Sequence, residues 1–209
     1  MSGFADIHTH KINAGRYAVQ SLDVEQWSVL SNDTGDNCFS LGVHPWNVHK
    51  TDISLLDKLK NILASDLRVK AVGECGLDKN SMASAEQQIL FFKEQVVISE
   101  VSGKPLIIHC VGAFNEIIKL KKNLRPEQKW IIHGFRGKPQ LAEELLTHGF
   151  YLSFGEKFNE ESVRLTPQNR LCVETDESEL PIAEIYRKIC DVKSCRPEDI
   201  VIPAEVLNL

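Results

Sequence analysis

P-L-I-I-H-C-V, Pro105 to Val111, is a short apolar run of the kind that forms a buried strand, and it ends on ionisable ground at His109. What flanks it decides how that strand is used. Upstream, Ser84 to Glu100 carries Ile89, Phe92, Val96 and Val97 in a helical stripe, and Gly103 with Pro105 is placed to stop it. Downstream, a second helix is predicted over 113 to 122. Helix, strand, helix is the rhythm of a parallel sheet.

The same unit recurs along the chain. Eight apolar runs can be counted: F-A-D-I-H-T-H at 4 to 10, Y-A-V-Q-S-L-D at 17 to 23, C-F-S-L-G-V-H-P-W at 38 to 46, V-K-A-V-G-E-C-G-L-D at 69 to 78, the run at 105 to 111, K-W-I-I-H-G-F at 129 to 135, G-F-Y-L-S-F-G at 149 to 155, and L-C-V-E-T-D at 171 to 176. Further helices are predicted at 138 to 148 and 181 to 191, and another where Thr51 or Asp52 can cap I-S-L-L-D-K-L-K-N-I-L. Eight strands in that alternation predict a TIM-type (β/α)8 barrel, with a doubly wound open sheet as the rival. Such barrels begin near ~200 residues and typically need ~250, so a chain of 209 must be trimmed. The trimming is visible between strands one and two, where only Lys11 to Arg16 intervene and no helix fits. That connection predicts an irregular or antiparallel local pairing.

Composition bounds the function. Hydrophobic residues at 43% and charged residues at 25% are those of an ordinary globular chain, read as one domain over 1–209. No apolar run is long enough for a membrane span, and Met1 to His10 lacks a signal-peptide pattern, so a cytoplasmic protein is expected. The six cysteines are scattered, as expected of free, mostly structural thiols. A net charge of −5 argues against a duplex binder that neutralises many phosphates, but permits a metal-bridged contact to one or two. No obligate protein partner is implied.

The ionisable residues fall at the C-terminal ends of the runs, where barrel active sites are built. They are His8 and His10, His44, Glu74 and Asp78, His109, His133, and Glu174 with Asp176. D-x-H-x-H alone reads equally as a metal site or a hydrogen-bonded strand end. His, Glu, His, His and Asp closing successive strands form the set that two divalent ions need, with one carboxylate between them. Glu74 suits the bridge because its two oxygens can each face one cation. Asp176 suits the attacking water, whose proton it can accept. Metal coordination can bring a water pKa from ~15.7 to about 7, easing hydroxide formation by ~12 kcal/mol. Zinc, manganese and magnesium all suit such mixed sites.

With D-I-H-T-H at 6 to 10, G-V-H-P at 42 to 45, G-E-C-G-L-D at 73 to 78, I-I-H-C at 107 to 110, I-I-H-G-F at 131 to 135 and E-T-D at 174 to 176, the chain resembles the TatD family of metal-dependent hydrolases. The resemblance runs across most of the chain, in the family's order. It implies that His8, His10 and Asp176 hold one ion, that His109 and His133 hold the other, and that Glu74 bridges them. It makes His44 a substrate-side histidine, against the alternative of a ring packed beside Pro45 and Trp46. Asp78, Glu174 and Asp6 are expected to orient ligands and loops. The family implies phosphodiester hydrolysis, including DNase and 3′ to 5′ exonuclease activity on single strands. Two departures touch the phosphate side: Val111 stands where the family usually has Arg, and E-S-E-L-P follows E-T-D in place of a basic loop. Arg136 or Lys138 could compensate, and single-stranded DNA becomes a less certain substrate than a phosphoester. The competing readings are a small-molecule hydrolase of the amidohydrolase, lactonase or histidinol-phosphatase-like type, and a non-catalytic metal-binding scaffold.

Overall fold

The computed structural model describes residues 4–12, 16–30, 35–200 and 206–207. Eight strands run in the order of the sequence around one sheet: β1 Asp6–Thr9, β2 Ala18–Asp23, β3 Cys38–Gly42, β4 Val69–Asp78, β5 Leu106–Val111, β6 Trp130–Ile132, β7 Tyr151–Phe154 and β8 Leu171–Val173. Every neighbouring pair is parallel. The helices are α1 Trp27–Leu30, α2 Leu55–Ser65, α3 Ala85–Ser102, α4 Phe114–Leu124, α5 Pro139–Thr147, α6 Glu160–Leu165 and α7 Ile182–Lys193. The ring closes through a short seam, in which the Asp176 N–H donates to the His8 carbonyl at 2.9 Å and the His10 N–H to the Asp176 carbonyl at 3.2 Å. A doubly wound open sheet would have no such seam.

Three local expectations are refined. The β1–β2 pairing is parallel rather than antiparallel, and its register slips between Asp6 and Thr9. The described residues of that connection, 10–12 and 16–17, are loop and turn, while 13–15 lie outside the described residues. Neither Thr51 nor Asp52 caps α2: Asp52 Oδ1 instead accepts the Ser54 N–H at 2.8 Å in a local turn, and the helix begins later, at Leu55. Ser84, by contrast, caps α3 in a full capping box with Gln87, and left-handed Gly103 (φ 65°) ends it. The short α6 falls in a segment where no helix is predicted.

The barrel interior follows from strand periodicity. One inner layer takes a residue from each strand: Ile7, Val19, Cys38, Ala71, Ile107, Ile131 and Cys172, with Tyr151 packed against them. Val206 and Leu207 of the C-terminal tail join this layer, and the rest of the 201–209 segment lies outside the described residues. Two residues further along the strands, side chains return to the same face. Along six of the strands those positions are Ser21, Ser40, His109, His133, Ser153 and Glu174, whereas the register slips in β1 and β4 bring His8 and Glu74 to the mouth. The apolar floor is thus roofed by a polar layer at the C-terminal mouth. Around the strands, a larger cluster that includes Phe39, Phe92, Trp130, Phe150 and Tyr186 seats the helices. No described helix is long and apolar enough to cross a membrane.

Candidate metal centre

Glu74 lies in the middle of the mouth because β4 is pressed tightly against β5. A Cβ at Gly73 would stand 2.5 Å from the Ile107 carbonyl oxygen, and one at Gly76 would stand 1.9 Å from that of His109. Both glycines adopt φ 145°, which side-chain-bearing residues rarely do. G-E-C-G is therefore the spacing that lets the carboxylate-bearing strand approach its neighbour.

The two oxygens of Glu74 face different partners. Oε1 is 2.8 Å from His133 Nε2 and 2.9 Å from His109 Nδ1. Oε2 is 3.5 Å from His8 Nε2 and 3.8 Å from His10 Nε2. Asp176 Oδ1 completes the second group, at 3.7 Å from His8 Nε2 and 3.6 Å from His10 Nε2. All six residues named from the sequence as ligands converge.

The rings of His109, His133 and His44 are each aimed by a second contact. Asp78 Oδ2 meets His109 Nε2 at 2.9 Å, leaving Nδ1 toward Glu74. Glu174, fully buried, accepts the Gly134 N–H at 2.6 Å and lies 3.4 Å from His133 Nδ1. Asp6 works through the backbone and not through an imidazole: it accepts the N–H groups of His8 and Thr175 and the Thr175 hydroxyl. It braces the seam between β1 and β8. His44 has its tautomer set by the chain, because the Trp46 N–H donates to Nδ1 at 3.1 Å. Its proton therefore sits on Nε2, 3.3 Å from Glu74 Oε1.

The electrostatics suit a cation. Burial, reinforced by the charge of His133, lowers the His8 pKa to about 3, so its ring is neutral. Neither His8 nitrogen has a hydrogen-bond partner among the described residues, a state that costs ~1–3 kcal/mol for a buried polar group. A divalent ion would relieve it, since neutral imidazole is a metal ligand. Burial alone would raise the Glu74 pKa, but the imidazoles of His133, His109 and His44 outweigh it and hold the group well below its ordinary value. The Asp176 pKa is raised, first by burial and then by Glu174. The separations of 3.5 to 3.8 Å among His8, His10, Asp176 and Glu74 Oε2 match the ~3.4 Å edge of a tetrahedron with ~2.1 Å metal bonds. The cluster can hold metal.

Two cavities open beside it. One, of about 560 Å3, is lined by His44, Trp46, Asn47, Gln20 and Asp23 and reaches His10, Glu74, His109, His133 and Asp176. Among the described residues no Lys or Arg lines it. The other, of about 440 Å3, is lined by Arg136 and Lys157 together with Glu156, Glu177 and Glu179. Asp176 and Glu177 border both. The two substrate contacts read from the sequence, His44 and Arg136, therefore lie in different cavities. Val111 pairs with Asp78 at the end of β5 and lines neither, and Lys138 is the residue before α5, also outside both. Lys157 and Trp46 were not legible as site residues. Lys157 sits in an irregular loop after β7 with no motif, and Trp46 reads in sequence as packing for His44.

The family described as TatD related DNase matches residues 9–201 of the chain. An uncharacterized metal-dependent hydrolase of Buchnera aphidicola (subsp. Baizongia pistaciae) is 34% identical over 149 residues, covering 66% of this chain and 54% of that protein. A 3′-5′ ssDNA/RNA exonuclease TatD of Erwinia amylovora is 30% identical over 168 residues, covering 75% of this chain and 64% of that one. The chain thus spans between half and two thirds of the length of these relatives. Among solved structures, the TatD homolog YjjV of Escherichia coli K12 superposes with a TM-score of 0.80 at 19% identity, over 92% of this chain and 86% of that one.

Proposed function

The chain belongs to the TatD-related DNase family, and from that premise we propose that it is a divalent-metal-dependent hydrolase acting on phosphate esters. The observation that carries the reading is the division of Glu74, whose Oε1 faces His109 and His133 while Oε2 faces His8 and His10. His8, His10 and Asp176 would hold one ion and His109 and His133 the other, with Glu74 between. Such ions, when bound, supply a lowered water pKa and neutralise charge on the phosphoryl group. Asp176 takes the proton of the attacking water, a task suited to a carboxylate at the mouth with His8 and His10 beside it. His44 presents Nε2–H to a phosphoryl oxygen. Arg136, with Lys157 beside it, receives a further phosphate of the substrate.

Relatives named as a 3′-5′ ssDNA/RNA exonuclease and as a deoxyribonuclease point to a polynucleotide end as substrate. The absence of Lys and Arg among the described residues around the cavity that holds His44 and Trp46 weighs against tracking a long phosphate backbone there. It favours, as the second reading, a small phosphate ester. The test is metal-dependent turnover of bis-p-nitrophenyl phosphate and of short single-stranded DNA. Hydrolysis should appear on adding zinc, manganese or magnesium and vanish with chelator; absence of turnover with every metal would remove the enzymatic reading.

A further inference from the structure

We infer that Trp46 is the stacking face of a subsite for a planar heterocycle, the nucleobase attached on one side of the scissile phosphate. The inference rests on the proposed phosphoesterase reading and names its substrate class. Trp46 is 56% exposed, whereas Trp27 and Trp130 are buried at 7% and 0%. Exposure of one apolar side chain means little by itself. What distinguishes Trp46 is that it is held still while exposed. Its indole N–H donates to Asp78 Oδ2 at 2.7 Å, and that buried carboxylate also holds His109. Its backbone N–H holds His44, and the neighbouring Pro45 carbonyl accepts the Ser81 hydroxyl at 2.7 Å. Asn47 Nδ2 donates to Asp23 Oδ2 at 2.8 Å. A ring fixed at both ends loses little freedom when another ring stacks on it.

The surroundings fit a base better than a second phosphate. The cavity that Trp46 lines carries Ile12, 71% exposed, and the amides of Gln20, Gln26 and Asn47, which can meet the donor and acceptor edge of a base. Among the described residues it offers no Lys or Arg, and away from the metal centre Asp23 and Glu177 disfavour a second phosphate there. Arg136 and Lys157 lie in the other cavity, across Asp176. Base on the Trp46 side and phosphate on the Arg136 side give the ester one orientation across the metal centre.

The test compares the dinucleotide dTpdT with analogues in which either residue is abasic. Removing the stacking face by Trp46→Leu should lower kcat/KM on dTpdT about tenfold more than on the analogue abasic at the subsite, with the difference in KM. Equal losses on all substrates would mean that Trp46 only positions His109 through Asp78, and would overturn the proposal. A second measurement needs no turnover. Thymidine 5′-monophosphate, but not deoxyribose 5-phosphate, should quench the fluorescence of the wild type and of Asp176→Asn, and Trp46→Leu should lose that response. If the nucleotide quenches but no ester is cleaved, the subsite stands and the hydrolase reading falls; if neither variant nor wild type responds, the subsite falls.

Discussion

Asp78 holds His109 by its Nε2 at 2.9 Å, so the ring turns its other nitrogen toward Glu74. A carboxylate behind a ligating imidazole fixes its orientation and raises its basicity, and loss of such a partner typically costs ~10–100-fold in metal affinity. Asp78→Asn keeps the shape but removes the charge, so metal affinity should fall about tenfold in a chelator competition. An unchanged affinity would show that His109 needs no carboxylate behind it.

The cluster also predicts a stability effect. In the absence of metal it keeps His8 neutral and unpartnered, while ligand binding to the native state alone stabilises by ~2.7 kcal/mol at a concentration of 100 Kd. At about 2–4 °C per kcal/mol for a chain of this size, saturating zinc should raise the Tm by roughly 5–11 °C. His8→Ala should lose most of that increment. Metal analysis of the reconstituted protein should find about two ions per chain; a melting curve insensitive to every divalent ion would sink the site.

The sequence carries the barrel and the convergence of the six candidate ligands because both rest on strand ends. Period-2 alternation returns Ile107 and His109, or Ile131 and His133, to one face, and the parallel order brings those ends together at one mouth. What it does not carry is set by long-range packing. Asp6 reads as a third member of D-x-H-x-H, yet besides the His8 N–H its oxygens take the N–H and hydroxyl of Thr175, 169 residues away. The assignment of Arg136 and His44 to different cavities depends on where two loops land, and Lys157 joins the first of them with no local pattern to announce it. α2 starts late because Asp52 satisfies Ser54 in a turn instead, a competition between two local hydrogen bonds that composition leaves open.

Asp176 adopts a left-handed backbone, φ 52°, just beyond β8. Asn tolerates that conformation, whereas other L-residues pay roughly 1–2 kcal/mol. Asp176→Asn should therefore stay folded, with a Tm close to wild type, while kcat at saturating metal falls by about 10²–10⁴ through loss of the proton acceptor. Asp176→Ala should lose the activity and also melt lower by a few degrees, at roughly 2–4 °C per kcal/mol. Turnover of Asp176→Asn at the wild-type rate would reassign the base.

Arg136 is exposed and makes no ion pair with a described residue, so its charge is free for substrate. A hydrogen bond to a charged group contributes ~1.5–3 kcal/mol, less at an exposed site. Arg136→Ala should raise KM about three- to tenfold for an ester carrying a second phosphate. It should leave an ester lacking that phosphate less affected, and the comparison of the two substrates is the measurement. Equal KM changes would place the phosphate elsewhere.

The seam between β1 and β8 sets His8 and Asp176 relative to each other, because the Asp176 N–H bonds the His8 carbonyl. Few backbone bonds close the ring there, so the Thr175 hydroxyl, 2.6 Å from Asp6 Oδ2 and 2.8 Å from the Thr9 hydroxyl, carries more of the closure than one side chain ordinarily would. Both partners are buried. Thr175→Val keeps the shape but strands the Asp6 carboxylate short of a donor, at ~1–3 kcal/mol. The Tm should drop by roughly 2–12 °C, and metal affinity should fall with it, since the three residues proposed to hold one ion, His8, His10 and Asp176, stand on the loosened seam. Thr175→Ser, which restores the hydroxyl, should recover most of both. A Thr175→Val protein that melts lower yet binds metal as tightly as wild type would show that the seam supports the barrel without positioning His8 and Asp176.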